Sequence, residues 1–158
     1  MSTSPRRRTA ERGGALLLFP AGVLIVFVLA ALAVDVGAAF LAQRELDDAT
    51  EAAASDAASA LVAGNFYGGG APDLDAASVG RRARARVVAA ADPDRHLGLD
   101  VRVAILPASA PGCAPTVTVK ASASVRSIFG AAFRGGQGGF TVQSAAAAQP
   151  RRFRLDGC

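Results

Sequence analysis

Residues 15–34 form an apolar stretch that contains no charged side chain. Extended through residue 36, this is about 22 residues, or about 33 Å of α-helix, which matches a bilayer hydrocarbon core of about 30 Å. The pattern therefore predicts a transmembrane helix at residues 15–36. Pro20 is expected in the first turns of that helix, where a missing backbone N–H costs least.

Charged residues flank the apolar stretch asymmetrically. Basic residues precede it and acidic residues follow it, namely Arg6, Arg7, Arg8 and Arg12 before, and Asp35, Glu45, Asp47 and Asp48 after. Because basic flanks stay in the cytoplasm, residues 1–14 are predicted to be a basic cytoplasmic N-terminus and the remainder extracytoplasmic. This describes a single-pass protein of the plasma (inner) membrane.

A cleaved signal peptide is the alternative interpretation of the same stretch. Ala31-Leu32-Ala33 is a plausible small-x-small cleavage site, and the basic leader also fits. The apolar stretch is nevertheless longer than the usual hydrophobic region of about 7–15 residues in a signal peptide. The helical pattern also continues past the cleavage site, which favours a retained anchor.

Helix-forming residues continue past the membrane over residues 37–64, which predicts an extracytoplasmic extension of the same helix. Small residues recur in it at spacings of three and four and define one face. We call this face the alanine seam, and it consists of Ala39, Ala42, Leu46, Ala49, Ala53, Ala57 and Ala60. Small side chains permit close backbone approach, so the seam predicts either docking to a partner helix or packing under the protein's own sheet.

Residues 73–158 are predicted to form a small α+β domain outside the membrane. A second helix is expected at residues 74–91, capped by Asp73 or Asp75 and ended by Asp92-Pro93. Its arginines indicate a solvated face or a contact with lipid headgroups, and they are Arg81, Arg82, Arg84 and Arg86. The extracytoplasmic location argues against nucleic acid as a partner.

Three strands follow, each with alternating apolar and polar residues. The apolar positions are Leu97, Leu99, Val101, Val103 and Ile105 in the first, Val117, Val119, Ala121, Ala123 and Val125 in the second, and Phe140, Val142, Ser144 and Ala146 in the third. One polar face predicts a three-stranded antiparallel sheet covered on one side by the two helices. Residues 127–133 are expected to form a short helical turn. The predicted fold class is therefore α+β and pilin-like.

The chain has two cysteines, and an exported location permits them to form a disulfide. If the third strand runs antiparallel beside the second, its end lies near the start of the second strand and brings the C-terminus toward Cys113. A Cys113–Cys158 bond is therefore predicted. Two free thiols or an intermolecular bridge are the alternatives.

The sequence carries no recognised catalytic or metal-binding motif. His96 is the single histidine and is expected at the surface or at the entry to a strand. Asp92 and Asp94 are a weak hint of calcium ligands, but the rest of an EF-hand pattern is missing. No nucleophile elbow or phosphate-binding loop is present. These observations predict a protein that is not an enzyme and has no metal, cofactor or small-molecule substrate.

Two segments carry a resemblance to a known family. The first joins Glu11-Arg12-Gly13-Gly14-Ala15 to the apolar stretch and to Ala33-Val34-Asp35-Val36-Gly37. The second runs from Leu41-Ala42-Gln43-Arg44-Glu45-Leu46 through Ala54. Over residues 11–63 the chain resembles the N-terminal part of TadG-like and TadE-like proteins of the bacterial Flp, or tight-adherence, pilus system.

The resemblance implies a membrane-anchored, non-enzymatic accessory component of Flp or type IV-like pilus assembly or secretion. Its implied partners are the lipid bilayer and other pilus-assembly membrane proteins or pseudopilins, which it would contact through the long helix. The alternative is a minor pseudopilin incorporated into the filament. Processed type IV pilin-like members carry a glutamate five residues after the cleavage glycine, and counting from Gly14 that position is Phe19. This departure favours the unprocessed, accessory role.

Overall fold

The computed structural model describes residues 12–61, 73–109, 113–130 and 139–150. These residues form an α+β fold in which a three-stranded antiparallel sheet packs on two helices, as predicted. In chain order the elements are α1 (Arg12–Ala57), α2 (Ala76–Ala90), β1 (His96–Leu106), β2 (Thr116–Arg126) and β3 (Gly139–Ala148).

Helix α1 is one continuous helix of 46 residues, about 69 Å long at 1.5 Å per residue. It ends at Ala57, earlier than the predicted residue 64, and Ala58 and Ser59 form a turn. Pro20 lies inside α1, more than two turns after Arg12, and not in the first turns of the helix. The expectation that Pro20 lies in the first turns was therefore wrong. At its actual position the missing backbone N–H removes a hydrogen bond within the helix.

Helix α2 begins where an aspartate can satisfy its free amides. Asp75 is the N-cap, and its carboxylate accepts hydrogen bonds from the Ala77 amide at 3.1 Å and from the Ser78 hydroxyl. The Ser78 hydroxyl is the main cause that lowers the pKa of Asp75 below its ordinary value of 3.8. Of the two predicted caps, Asp75 is therefore the one used.

The two faces of α2 differ sharply. Its buried face consists of Val79, Ala83 and Val87. The predicted arginine cluster lies on the exposed face, and its members are Arg81, Arg82, Arg84 and Arg86. This placement agrees with the interpretation of the cluster as a solvated face.

The sheet has the order β1-β2-β3, with β2 in the centre. The alternation predicted for β2 is confirmed, since Val117, Val119, Ala121, Ala123 and Val125 are all buried. In β1 the predicted set is wrong at Leu97, which is 39% exposed.

A β-bulge explains why Leu97 faces outward. The register of β1 against β2 shifts between Leu97 and Asp100, and Gly98 adopts a positive φ of 62° within the shift. Glycine tolerates this conformation because it has no Cβ. The extra residue reverses the alternation, so His96 faces the core and Leu97 does not.

The core lies between α1, α2 and one face of the sheet. Helix α1 packs against β2, β3 and α2, while α2 also packs against β1. The other face of the sheet carries exposed side chains such as Arg102, Lys120 and Arg126. One covered face and one solvated face is the arrangement that the strand pattern predicted.

Candidate functional site

The Asp35 side chain joins α1 to the residues that follow β2. Asp35 Oδ1 accepts hydrogen bonds from the backbone amides of Ile128 at 2.8 Å and Phe129 at 3.1 Å. Asp35 Oδ2 accepts from the Gly130 amide at 2.8 Å and from the Ser127 hydroxyl. We call Asp35 together with residues 127–130 the Asp35 clasp.

The clasp matches an ionised carboxylate to a set of donors. Successive backbone N–H groups that point to one place form a site for an anion, and here the anion belongs to the chain itself. Ser127 is buried, and its Oγ also accepts a hydrogen bond from the Gly130 amide at 2.7 Å. A Cβ at Gly130 would overlap that Oγ, so a larger residue at this position would displace the Ser127 side chain.

The clasp lies at the end of the apolar stretch. Asp35 directly follows Val34 and is only 5% exposed. Ala31, one helical turn earlier, is 6% exposed, whereas every other residue from Leu18 to Val34 is exposed. The folded chain therefore covers α1 down to the level of Ala31.

Gln43 makes the next contact along α1. Its Nε2 donates to the backbone oxygen of Gln143 at 2.8 Å, and its Oε1 accepts from the Gln143 amide at 3.2 Å. Gln43 Nε2 also donates to Asp47 Oδ1 at 3.0 Å. The side-chain amide thus satisfies the free edge of β3 at this residue.

His96 connects the start of β1 to the middle of α1. It is the first residue of β1 and is 4% exposed. Its Nε2 lies 3.2 Å from the backbone oxygen of Ala42, and its Nδ1 lies 3.2 Å from that of Asp92. The expected strand entry is confirmed, while the surface placement was wrong because the bulge at Gly98 turns His96 inward.

The alanine seam packs against other parts of the same chain. Ala39 is half-buried, and the other six members are 4% exposed or less. Five of them belong to the core together with Ala83 and Val87 of α2 and the inward residues of β2, and these five are Ala42, Leu46, Ala53, Ala57 and Ala60. Packing under the chain's own sheet therefore occupies the seam, and docking to a partner helix stays a prediction.

Of the two cysteines, Cys113 lies among the described residues. Cys113 is buried, at 8% exposure, just before β2. Cys158 lies outside the described residues. The Cys113–Cys158 bond therefore stays a prediction.

The exposed side chains of α1 from Leu18 to Val34 are all apolar. Its exposed large side chains are Leu18, Phe19, Val23, Leu24, Ile25, Val26, Phe27, Val28, Leu29, Leu32 and Val34. By length and composition α1 is a candidate membrane span. Water would be an unfavourable solvent for so much contiguous apolar surface.

Side chains that could bind a metal ion are not grouped in the described part of the chain. Within residues 12–61, 73–109, 113–130 and 139–150, no three His, Cys, Asp or Glu side chains are grouped to hold a metal ion. Asp92 and Asp94 instead shape the turn before β1, where the Asp92 carboxylate accepts from the Asp94 amide at 3.0 Å. The polar groups described above fasten the domain to α1.

The fold and the clasp define an α+β protein in which one continuous helix contains the apolar segment and also packs against the sheet. Residues 13–60 match the model of a family described as putative Flp pilus-assembly TadE/G-like. The resemblance inferred from the sequence is therefore confirmed over these residues, and it supports a part in Flp pilus assembly. No curated protein and no solved structure matches the chain.

The matched residues coincide with α1 and its contacts to the domain. They include the apolar stretch, Asp35, Gln43 and the whole alanine seam. Sequence reasoning identified Asp35 as a charge at the end of the apolar stretch and as part of the resemblance, and Gln43 only as part of the resemblance, and it assigned no contact to either. The signal that could have pointed to Asp35 was a carboxylate next to an apolar span, because such a group needs partners.

Proposed function

We propose that this chain is a membrane-anchored, non-enzymatic accessory component of Flp pilus assembly. The match over residues 13–60 carries the proposal, because it covers both the apolar segment and the part of α1 that holds the domain. In this role the chain presents a small domain on a stiff helix beside the assembly machinery. In this proposal the chain acts by binding other membrane proteins and catalyses no reaction.

The proposed location is the inner membrane, with the N-terminus in the cytoplasm and the domain outside. Four arginines lie before the apolar stretch, and the first charged residue after it is Asp35. This asymmetry supports the orientation through the positive-inside rule. The proposed partners are the lipid bilayer and other membrane proteins of pilus assembly.

Partner helices would meet α1 on a face other than the buried alanine seam. Beyond Asp35, α1 exposes Val36, Phe40 and Leu41, at 53%, 65% and 60%. These apolar side chains continue the exposed surface of the apolar stretch on the side away from the domain. This surface, and not the seam, is therefore the one available to a partner helix while the domain stays folded on α1.

A minor pseudopilin within the filament is the alternative. A filament subunit would cover the same apolar surface with neighbouring copies, so exposure alone does not separate the two roles. Phe19 stands where processed type IV pilin-like proteins carry a glutamate, and this favours the accessory role.

Fractionation tests the proposal. Cells that assemble the pilus are sheared, and the chain is quantified in the filaments and in the inner membrane, with intact mass measured on both pools. We expect full-length chain in the inner membrane. Accumulation in sheared filaments, or a mass lacking the residues before the apolar stretch, would overturn the accessory role and favour the pseudopilin.

A pair of variants tests the exposed face of α1. Phe40→Ser removes one of the exposed apolar side chains and should reduce co-purification of pilus-assembly membrane proteins. Leu106→Ser is the matched control, since Leu106 is 53% exposed at the far end of the sheet. Equal recovery of partners with both variants would contradict a partner contact at Phe40.

A further inference from the structure

The apolar residue Ile128 is exposed at the end of the domain that lies against the apolar stretch. It is 63% exposed, although its own backbone amide is held by Asp35 at 2.8 Å. A large aliphatic side chain fixed in this way presents its surface outward instead of turning into the core. Its position is set by the clasp, so it lies within one turn of the end of the apolar stretch.

The burial of Ala31 sets the height of this end of the domain relative to the membrane. Ala31 precedes Val34 by three residues, which is about 4.5 Å along a helix. Because Ala31 is covered within the folded chain, the covered face of α1 begins about one turn before the last residue of the apolar stretch. A span that lies in a bilayer therefore carries the clasp into the boundary between headgroups and acyl chains.

The charges around Ile128 fit that boundary. Arg126, two residues earlier, is exposed at the end of β2 and can meet lipid phosphates. Asp35 would be costly beside acyl chains, but the clasp surrounds its carboxylate with hydrogen-bond donors. An apolar tip, a nearby arginine and a shielded carboxylate together suit a lipid surface better than open water.

We propose that residues 126–128 form a second membrane contact, in which Ile128 inserts into the outer surface of the bilayer and Arg126 binds phosphate groups. The inference rests on the membrane anchoring in the proposed function and goes beyond it. The domain then touches the membrane at a point separate from the span. Two contacts would fix how the domain is turned about the axis of α1.

Single tryptophans test this contact, since the chain has none of its own. Three full-length variants are reconstituted in phospholipid vesicles with or without brominated acyl chains, which quench tryptophan emission. Ile128→Trp probes the proposed contact, and Phe27→Trp probes the span. Leu106→Trp is the control, because Leu106 pairs with Thr116 at the opposite end of the sheet, about 33 Å from the end of β2 at the usual strand rise.

The expected result is loss of emission for Phe27→Trp and for Ile128→Trp, with Leu106→Trp unchanged. The depth found for Ile128→Trp should be shallow, as for interfacial segments that enter the boundary by about 5–10 Å. Quenching of Phe27→Trp without quenching of Ile128→Trp would overturn the proposed second contact while leaving the membrane anchor in place.

Two other outcomes also contradict the inference. Quenching of all three variants would mean that the whole domain lies on the bilayer, so the contact would not be specific to residues 126–128. Absence of quenching in Phe27→Trp would remove the anchor itself, and the proposed function would fail with the inference.

Discussion

The side-chain amide of Gln43 pairs with the backbone of Gln143 as a neighbouring strand would. It donates to the Gln143 oxygen at 2.8 Å and accepts from the Gln143 amide at 3.2 Å. Strand β3 is an edge of the sheet, and unpaired edges invite association with other chains. Helix α1 therefore supplies both the core contact of the sheet and a polar contact at its edge.

Removal of this amide should weaken the attachment of β3. We expect Gln43→Ala to lower the free energy of unfolding by about 1 kcal/mol, the usual net value for hydrogen bonds of this kind. Denaturation of the purified full chain in detergent measures the change. Arg44→Ala is the control, because Arg44 is exposed on the same turn. An equal effect of the two variants would contradict the role of Gln43.

Replacement of Asp35 by asparagine should loosen the clasp. Asn keeps the shape but replaces one acceptor oxygen by an NH2 group, which would face the amide of Gly130 or Ile128. We expect faster hydrogen exchange at the amides of Ile128, Phe129 and Gly130. Exchange measured by mass spectrometry or NMR reports this directly, with Asp48→Asn, at an exposed position of α1, as control. Unchanged exchange would show that the carboxylate is not what holds the 127–130 segment.

Enlargement of a seam alanine should disturb the core. Ala53 is fully buried at 0% exposure, and Ala53→Leu should destabilise the domain by about 1–3 kcal/mol through overpacking. Ser55→Leu, at an exposed position two residues later, should change stability by less than about 0.5 kcal/mol. If Ala53→Leu kept normal stability but no longer bound a partner, the result would instead support the hypothesis that the seam docks to another helix.

The N-cap of α2 predicts that the free energy of unfolding depends on pH in the acidic range. Because the folded-state pKa of Asp75 is lowered, its contribution is present above the ordinary value of 3.8 and is lost as pH falls through the lowered pKa. Ser78→Ala removes the main cause of the lowering and should flatten this part of the profile. Denaturation midpoints measured below pH 5 compare the two proteins. Identical slopes would contradict the role of the Ser78 hydroxyl.

The predicted Cys113–Cys158 bond is tested by mass. Alkylation of the full chain without reduction should add no alkyl group to either cysteine, and a non-reducing digest should contain one linked pair of peptides. Monomeric mass excludes an intermolecular bridge. Two alkylated thiols would end the prediction. The loop that the bond closes has about 45 residues, for which the loop-entropy model gives about 3–4 kcal/mol.

Periodicity in the sequence predicted the elements and most of the positions that they bury, although Phe140 of the set predicted for β3 is 38% exposed. In β2 the alternation of small apolar and polar residues predicts every buried position, because a central strand with one covered face leaves no choice of register. In β1 the same reasoning failed at Leu97, since one extra residue at Gly98 reverses the alternation. A glycine within a strand was the available signal for this bulge.

The contacts that fasten the domain were harder to predict. Asp35 and Ser127 are separated by 92 positions, and neither belongs to a periodic pattern. Their meeting depends on how β2 lies along α1, which is set by packing of the whole core. The alanine seam shows the opposite case, because its spacing predicted a buried face but could not specify which partner buries it.

The continuity of α1 has a mechanical consequence. No linker separates the apolar stretch from the part of α1 that carries the sheet, so the two cannot tilt independently. From Val34 to Ala57 the helix measures about 35 Å, and a tilt of about 10° at the membrane would move its far end by about 6 Å. In the proposed membrane-anchored role, a small reorientation of the apolar stretch would therefore displace the far end of the domain by several ångströms.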